Sequence, residues 1–231
     1  MRDMPPLPPL PASWPFPARS VSTATHLQEG CAVPGQGEGW SVEAPGPPPF
    51  GDRFEPLGGA FGRGGVGRAG EVVIRPYRRG GWVRRMNDRT YLSAERFRRE
   101  LQIHLHLWQA GFPTVEPLGC AWRRHRWGVE GLYLTRFVEG EPWPRSWDPG
   151  CWPEVTRGIE ALSAWGCWSP DLNATNVHRA STGETLLLDF DRACFPEARG
   201  LRSRYFDRLL RSLEKLNAPG PLREAAAKDR G

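Results

Sequence analysis

The 231-residue sequence predicts an α+β fold in two lobes, a small β-rich one followed by a reduced helical one. Three observations carry that prediction. Runs rich in β-branched, leucine and aromatic residues at Glu71 to Arg75, Val115 to Trp122 and Glu130 to Phe137 are bounded by Gly, Pro or basic turns, and read as strands. Apolar residues spaced three and four apart at 93–110, 153–165 and 205–216 read as helices. Hydrophobic residues make up 39% of the chain, enough for one sizeable core or two small lobes sharing a cleft, but not for two large independent domains.

Taken in order, residues 1–53 open with Pro5-Pro6-Leu7-Pro8-Pro9-Leu10-Pro11 and close near Pro45-Gly46-Pro47-Pro48-Pro49. Proline donates no backbone hydrogen bond, so this arm is expected to be largely disordered, either a plain tail or a ligand for a proline-reading partner. Residues 54–138 are expected to form the β-rich lobe, with the helix after Ser93 stopped by Gly111 and Pro113. Residues 139–217 form the expected helical lobe. Pro153 opens one helix and Gly166 follows its end, while Tyr205, Phe206, Leu209, Leu213 and Leu216 line the apolar face of another. Residues 218–231 are expected to fray.

The formal charge of +5 and a pI near 9.2 call for an anionic partner, for which nucleotide, phosphorylated lipid, nucleic acid and membrane surface all qualify. Lys215 and Lys228 are the only lysines, so any cation needed earlier in the chain must be arginine. Five scattered cysteines without a C-x-x-C pair argue against a zinc site or a disulfide framework. No stretch has the length of a membrane span, and Met1-Arg2-Asp3 runs into prolines rather than a signal-peptide core, so a cytoplasmic protein, soluble or membrane-surface, is expected.

The chemistry concentrates in Asp171-Leu172-Asn173-Ala174-Thr175-Asn176, followed by the turn Ser181-Thr182-Gly183-Glu184 and the run Leu186-Leu187-Leu188-Asp189-Phe190-Asp191. Asx-rich loops are usually turns whose side-chain oxygens satisfy nearby amides. Here the ordered context, loop, strand, turn, strand and Asp-Phe, matches the way kinase-like enzymes build a phosphoryl-transfer site. On that reading Asp171 takes the proton of the attacking hydroxyl, and Asn176 and Asp189 hold the Mg2+ that bridges the phosphates of ATP. Upstream, Gly62-Arg63-Gly64-Gly65 lies in a glycine run that is either a hairpin loop or a backbone lid over phosphates. Glu100, on the first helix, stands where a kinase needs a carboxylate to steady the phosphate-binding cation of the preceding strand, here Arg75. Arg136-Phe137-Val138 is expected to line the adenine slot. Tyr77, Arg78, Arg79, Trp82, Arg84 and Arg85 interleave basic and aromatic groups, which reads either as a grip on anionic head groups or as a solvated turn, with nucleic acid a weaker option.

These pieces, together with Phe97-Arg98-Arg99-Glu100 and Leu188-Asp189-Phe190-Asp191-Arg192, resemble the bacterial lipopolysaccharide kinases, and among them the 3-deoxy-D-manno-octulosonic acid (Kdo) kinases, over roughly residues 54–217. The resemblance implies a two-lobed protein-kinase-like fold that moves the γ-phosphate of ATP to a Kdo hydroxyl on a lipid A precursor. Such an enzyme acts peripherally at the cytoplasmic face of the bacterial inner membrane. It also implies Asp171 as base, Asn176 and Asp189 as metal ligands, and Gly62, Arg63, Gly64, Gly65, Arg75 and Glu100 on ATP. Tyr77, Arg78, Arg79, Trp82, Arg84, Arg85 and Arg192 are then candidates to face the acceptor or the membrane, and no nucleic acid is expected. The chain departs from the family where His-Ala-Asp becomes Ser169-Pro170-Asp171, exchanging an imidazole beneath the loop for a small hydroxyl. Two other readings share these motifs: a degenerate kinase fold acting as a regulatory module, and a kinase for another small-molecule or protein acceptor.

Overall fold

The computed structural model describes residues 4–22, 24–58, 65–78 and 90–230. They divide into two compact units, one made of Ser20–His106 and Glu116–Phe137, the other of Met1–Arg19, Leu107–Val115 and Val138–Gly231. The first is β-rich and the second mostly helical, the α+β arrangement the sequence predicts.

The β-rich unit contains β1 (His26–Val33), β2 (Gly37–Ala44), β3 (Phe54–Pro56), β4 (Gly67–Ala69), β5 (Val72–Pro76), β6 (Pro117–His125) and β7 (Gly128–Arg136), with α1 (Glu95–Gln109) between β5 and β6 in the chain. Among the described residues the strands form one antiparallel sheet in the order β1-β2-β6-β7-β5-β4-β3. Alternate residues face opposite sides of a strand. Val72, Ile74, Leu132, Leu134 and Ala121 therefore join Val33, Trp40, Val42 and Ala44 in one buried layer. Cys120, Trp122 and Tyr133 face the other way and pack with Tyr77, Tyr91, Phe97, Leu101 and Leu105, most of the last group carried by α1. Gly131 makes the approach of α1 possible, because a Cβ there would sit 2.4 Å from the Phe97 ring. Arg75, between Ile74 and Pro76, lies opposite Tyr133 on β7 and shares its side of the sheet.

Two expectations need correction. Residues 26–44, placed within a disordered arm, form the β1–β2 hairpin, and β2 is hydrogen-bonded to β6. The prolines flanking this segment mask its own pattern: Trp40, Val42 and Ala44 alternate and are buried, and Pro34-Gly35 turns the chain. Residues preceding the hairpin are also engaged in the helical unit. Trp14 Nε1 donates to Ala110 O at 2.7 Å, Trp165 Nε1 donates to Pro8 O at 3.0 Å, and Phe16 meets the Phe112 ring at 5.5 Å. Proline removes donors but leaves carbonyl acceptors, and indole N–H groups supply the missing half of each bond.

The helical unit carries α2 (Trp143–Ser146), α3 (Trp152–Ala164), α4 (Leu201–Lys215) and α5 (Gly220–Asp229), with a small sheet of β8 (Gly140–Pro142), β9 (Val177–Ala180) and β10 (Thr185–Leu187) in the order β10-β9-β8. The second correction is α5, within the tail expected to fray. Pro221 falls in its first turn, where a missing N–H costs nothing, and Leu222 and Ala226 are buried. Trp152 Nε1 binds Asp229 Oδ2 at 3.1 Å, and Arg230 pairs with Asp207 at 2.6 Å. No helix among the described residues is long and apolar enough to cross a membrane.

Gly111 ends α1 as expected, with φ of 80° and so little room that a Cβ would lie 1.9 Å from the Pro17 carbonyl oxygen. Gly183 also has positive φ, at 92°, but open space around it. Gly111→Ala should therefore cost about 3 kcal/mol or more, through strain plus a backbone clash, and Gly183→Ala about 1 kcal/mol, through strain alone. Equal shifts of the two denaturation midpoints would show that the segment before Arg19 does not pack at Gly111.

Candidate functional site

The predicted site residues fall into two groups, one in each unit. In the β-rich unit, α1 and β5 bring together Arg75, Tyr77 and Glu100. Arg75 Nη2 lies 2.6 Å from Glu100 Oε1, and the Tyr77 hydroxyl donates to Glu100 Oε2. The Glu100 side chain has no exposed surface, whereas Arg75 is 30% exposed. The Arg75 guanidinium also sits 5.4 Å from the centroids of both the Tyr77 and the Tyr133 ring. A buried carboxylate is tolerable only when charge and hydrogen bonds answer it, and this trio does so while leaving part of the guanidinium toward solvent. Nearby, burial first, then Glu43 and Glu100, push the Cys120 thiol well above its usual range, which makes it an inert packing group.

Tyr77 requires a correction. Expected to face the acceptor or a membrane, it is 2% exposed and stacks on Phe97 at 4.3 Å. A run of basic and aromatic residues reads as surface, but Tyr77 lies two positions past Arg75 and falls on the same inward side. Gly65 has φ of 104°, and a Cβ there would stand 3.0 Å from Arg78 Nη2, so glycine lets the two chain segments meet. Arg78 is half-buried. Gly62, Arg63, Gly64, Arg79, Trp82, Arg84 and Arg85 lie outside the described residues. Arg136, beside the expected adenine slot, is taken up by Glu71 and by Glu116 at 2.9 Å.

In the helical unit the loop after α3 holds Asp171, with Asn176 in a single 3-10 turn leading into β9. The Asp171 carbonyl accepts from Asn173 Nδ2 and Asn176 Nδ2, both at 2.7 Å. Asn173 Oδ1 in turn accepts from the Thr175 amide at 2.9 Å and the Thr175 hydroxyl at 2.6 Å. Two amide nitrogens spent on one carbonyl fix the main chain under Asp171. Asp189 follows β10 with φ of 71°, a left-handed conformation that a non-glycine residue adopts at a cost, as functional sites often do. Phe190 anchors that turn, fully buried against Phe112 at 6.0 Å.

Ser169 stands where the family resemblance implies a histidine. It is fully buried, its hydroxyl donates to the Asp189 carbonyl at 3.2 Å, and its amide donates to the Tyr205 hydroxyl at 2.7 Å. The Tyr205 hydroxyl in turn donates to the Cys167 carbonyl at 2.9 Å. Burial first, then Cys167, pushes the Tyr205 phenol well up, so it stays a neutral donor. Tyr205 and Ser212, which accepts from the Ala174 amide at 3.2 Å, are supports that the sequence reading missed. Tyr205 shares its helical period with Leu209 and reads as core, so no local signal marks it.

Arg192 meets the Asp171 carboxylate along one edge of its guanidinium, Nε to Oδ2 at 2.7 Å and Nη2 to Oδ1 at 2.5 Å. Arg208 of α4, another residue not singled out from sequence, brings Nη2 to 3.9 Å from Oδ1. Among the described residues no group of three His, Cys, Asp or Glu side chains gathers to hold a metal ion. The oxygen donors Asn176 and Asp189 nevertheless fit a hard cation that takes its remaining ligands from phosphate and water.

No protein-family model matches the chain. It is 30% identical over 184 residues to a 3-deoxy-D-manno-octulosonic acid kinase of Xylella fastidiosa (strain M23), covering 72% of each chain. It is 31% identical over 194 residues to the protein of that name in Xanthomonas campestris pv. campestris (strain B100), covering 74% of each. A solved structure of the bifunctional kinase-methyltransferase WbdD aligns with a TM-score of 0.42 at 19% identity, over 68% of this chain and 36% of that one, and the assignment does not draw on it. On the strength of those two relatives, each covering most of its own length and of this one, the chain belongs to the 3-deoxy-D-manno-octulosonic acid kinase family of phosphotransferases.

Proposed function

We propose that the chain transfers the γ-phosphoryl group of ATP to a hydroxyl of a Kdo sugar on a lipid A precursor, with Mg2+, at the cytoplasmic face of the bacterial inner membrane. The observation that carries this reading is the Arg75–Glu100 pair, which reproduces with arginine the strand–helix ion pair by which kinases steady a phosphate-binding cation. Arg75 is the cation for the nucleotide phosphates, held in place by Glu100 and by the two tyrosine rings beside it. Gly65, with Gly62, Arg63 and Gly64, is assigned to the same phosphates. Asn176 and Asp189 would hold the metal, which would supply positive charge to offset that of the phosphates. Asp171 orients the acceptor hydroxyl and takes its proton, presented from a main chain that Asn173 and Asn176 pin. The relatives' name supplies the acceptor.

Membrane contact belongs to the same proposal, and a specific surface supports it. Tyr91 and Val129 form an antiparallel bridge, which puts Leu92 and Trp127 at the same end of it. They are the two most exposed large apolar side chains among the described residues, at 92% and 76%. Arg124 and Arg126 are exposed beside them, with Arg126 lying over the Trp127 ring at 4.9 Å. An amphipathic ring and an aliphatic side chain flanked by guanidiniums suit the head-group level of an anionic bilayer.

Asp171→Asn should lower kcat for phosphoryl transfer from ATP to the Kdo-bearing lipid by about 10²-fold or more, with the unfolding midpoint unchanged. Transfer within a few-fold of wild type would remove Asp171 as the base. Arg75→Ala should cost about 3 kcal/mol of stability, by stranding a buried carboxylate, and raise the KM for ATP. A denaturation curve that overlays wild type would mean Glu100 is satisfied without it. In sedimentation with phosphatidylglycerol vesicles, Leu92→Asp combined with Trp127→Asp should cut the bound fraction several-fold, and wild-type binding should weaken with salt. Binding that ignores both changes places the membrane contact elsewhere.

A further inference from the structure

The proline-rich arm, which by composition is a tail or a partner's ligand, is bound within the chain itself, and its contacts converge on one short run. The last carbonyls of a helix find no partner inside it. Where α1 ends, Trp108 O accepts from Arg19 Nη1 at 2.5 Å, Gln109 O from the Arg19 amide at 2.7 Å, and Ala110 O from Trp14 Nε1. Arg19 Nη1 also reaches Phe112 O at 3.3 Å, and the Phe112 ring meets both Trp14, at 6.1 Å, and Phe16. The helical unit secures the arm in turn. Trp165 donates to Pro8 O, while Arg157 of α3 donates to Pro15 O and lies over the Phe16 ring at 4.4 Å.

The run that the arm holds is the one that holds the turn of Asp189. The Leu187 amide donates to Pro113 O at 2.8 Å, and Phe190 packs on Phe112, so residues 112 and 113 restrain the chain on both sides of Asp189. Phe112, Leu187 and Phe190 are all fully buried. A non-glycine residue keeps a left-handed conformation such as that of Asp189 only where its surroundings over-determine it. Ser169 supplies one restraint, through the Asp189 carbonyl. The two others come from residues 112 and 113, which the arm caps and packs.

We propose that residues 8–19 are a strap that positions Asp189, with Trp14 and Arg19 as positioning residues that act through Phe112 and Pro113. The inference rests on the assignment of Asp189 to the metal and deepens it, by adding a support from the opposite end of the chain. A loosened strap leaves Asp189 its carboxylate but removes the preset direction of that carboxylate. Part of the free energy of metal binding then goes into ordering the turn, and affinity falls.

The test compares full-length wild type with Trp14→Ala, Arg19→Ala and Leu222→Ala, the last a core change in α5 outside the strap and its run. Amide hydrogen exchange is followed at residues 186–191 and across α5 by mass spectrometry. Binding of Mn2+ in the presence of ADP is followed by electron paramagnetic resonance, with no turnover. The two strap variants should exchange several-fold faster at 186–191 with α5 unchanged, and bind Mn2+ about tenfold more weakly, as on loss of a support behind a metal ligand. Leu222→Ala should lower the denaturation midpoint and leave the Mn2+ affinity alone. Should Trp14→Ala fail to fold, Trp14→Phe keeps a ring, drops the N–H and should show both effects at smaller size. Exchange at 186–191 that matches wild type, or equal Mn2+ affinity in wild type and strap variants, overturns the strap and leaves the kinase reading standing. Equal weakening by Leu222→Ala also overturns it, since that marks a general loss of stability. A wild type that takes up no Mn2+ with ADP, while the strap variants still exchange faster at 186–191 alone, supports the strap and removes Asp189 as a metal ligand.

Discussion

A charged carboxylate without exposed surface has to be met by donors in the folded state, and Glu100 sets that requirement for the β-rich unit. Arg75 meets it from β5 and Tyr77 from the residues just after, so α1 can dock on the sheet in only one register. Phe97 and Leu101 fill the layer around the pair, and Gly131 removes the one Cβ that would hold the helix off. Arginine rather than lysine as the cation of this strand sets the geometry as well as the reach. A planar guanidinium can sit beside the rings of both Tyr77 and Tyr133 while bonding Glu100 at its edge, which a compact ammonium does less well.

The loop of Asp171 to Asn176 is built on a different principle, with side chains holding main-chain groups. Asn173 and Asn176 spend amide donors on the Asp171 carbonyl, Ser212 accepts from the Ala174 amide, and Ser169 ties the loop to Asp189. The serine that replaces the family histidine keeps a hydrogen bond to the turn carrying Asp189, and Tyr205 provides the bulk beneath it. The main chain at Asp171 and Asp189 is thus positioned by hydrogen bonds to its carbonyls, and Arg192 meets the Asp171 carboxylate.

Legibility from sequence followed the range of the interactions. Asp171, Asn176 and Asp189 could be singled out as candidates because their loop is local, with Asx residues, turn and strand in a fixed order. Arg75 and Glu100 followed from strand and helix periodicity. Tyr77 was misplaced because its neighbours in sequence are basic, while its neighbours in space are Phe97, Tyr91 and Tyr133. The β1–β2 hairpin was missed for a similar reason: its alternation of Trp40, Val42 and Ala44 lies between proline runs that dominate the composition.

By itself the sequence determined the two-lobe α+β class, the order of the elements around the loop and the residue types that carry phosphoryl-transfer chemistry, since these depend on spacing and periodicity within short windows. Only the tertiary structure decided which side chains meet. Arg192 reaches Asp171 across 21 residues, and the Tyr205 hydroxyl reaches Ser169 across 36. It also turned a proline-rich arm into packed chain, because the carbonyls of residues such as Pro8 gain indole donors only when distant residues arrive. Such contacts depend on distance in space, for which neither composition nor spacing carries a signal.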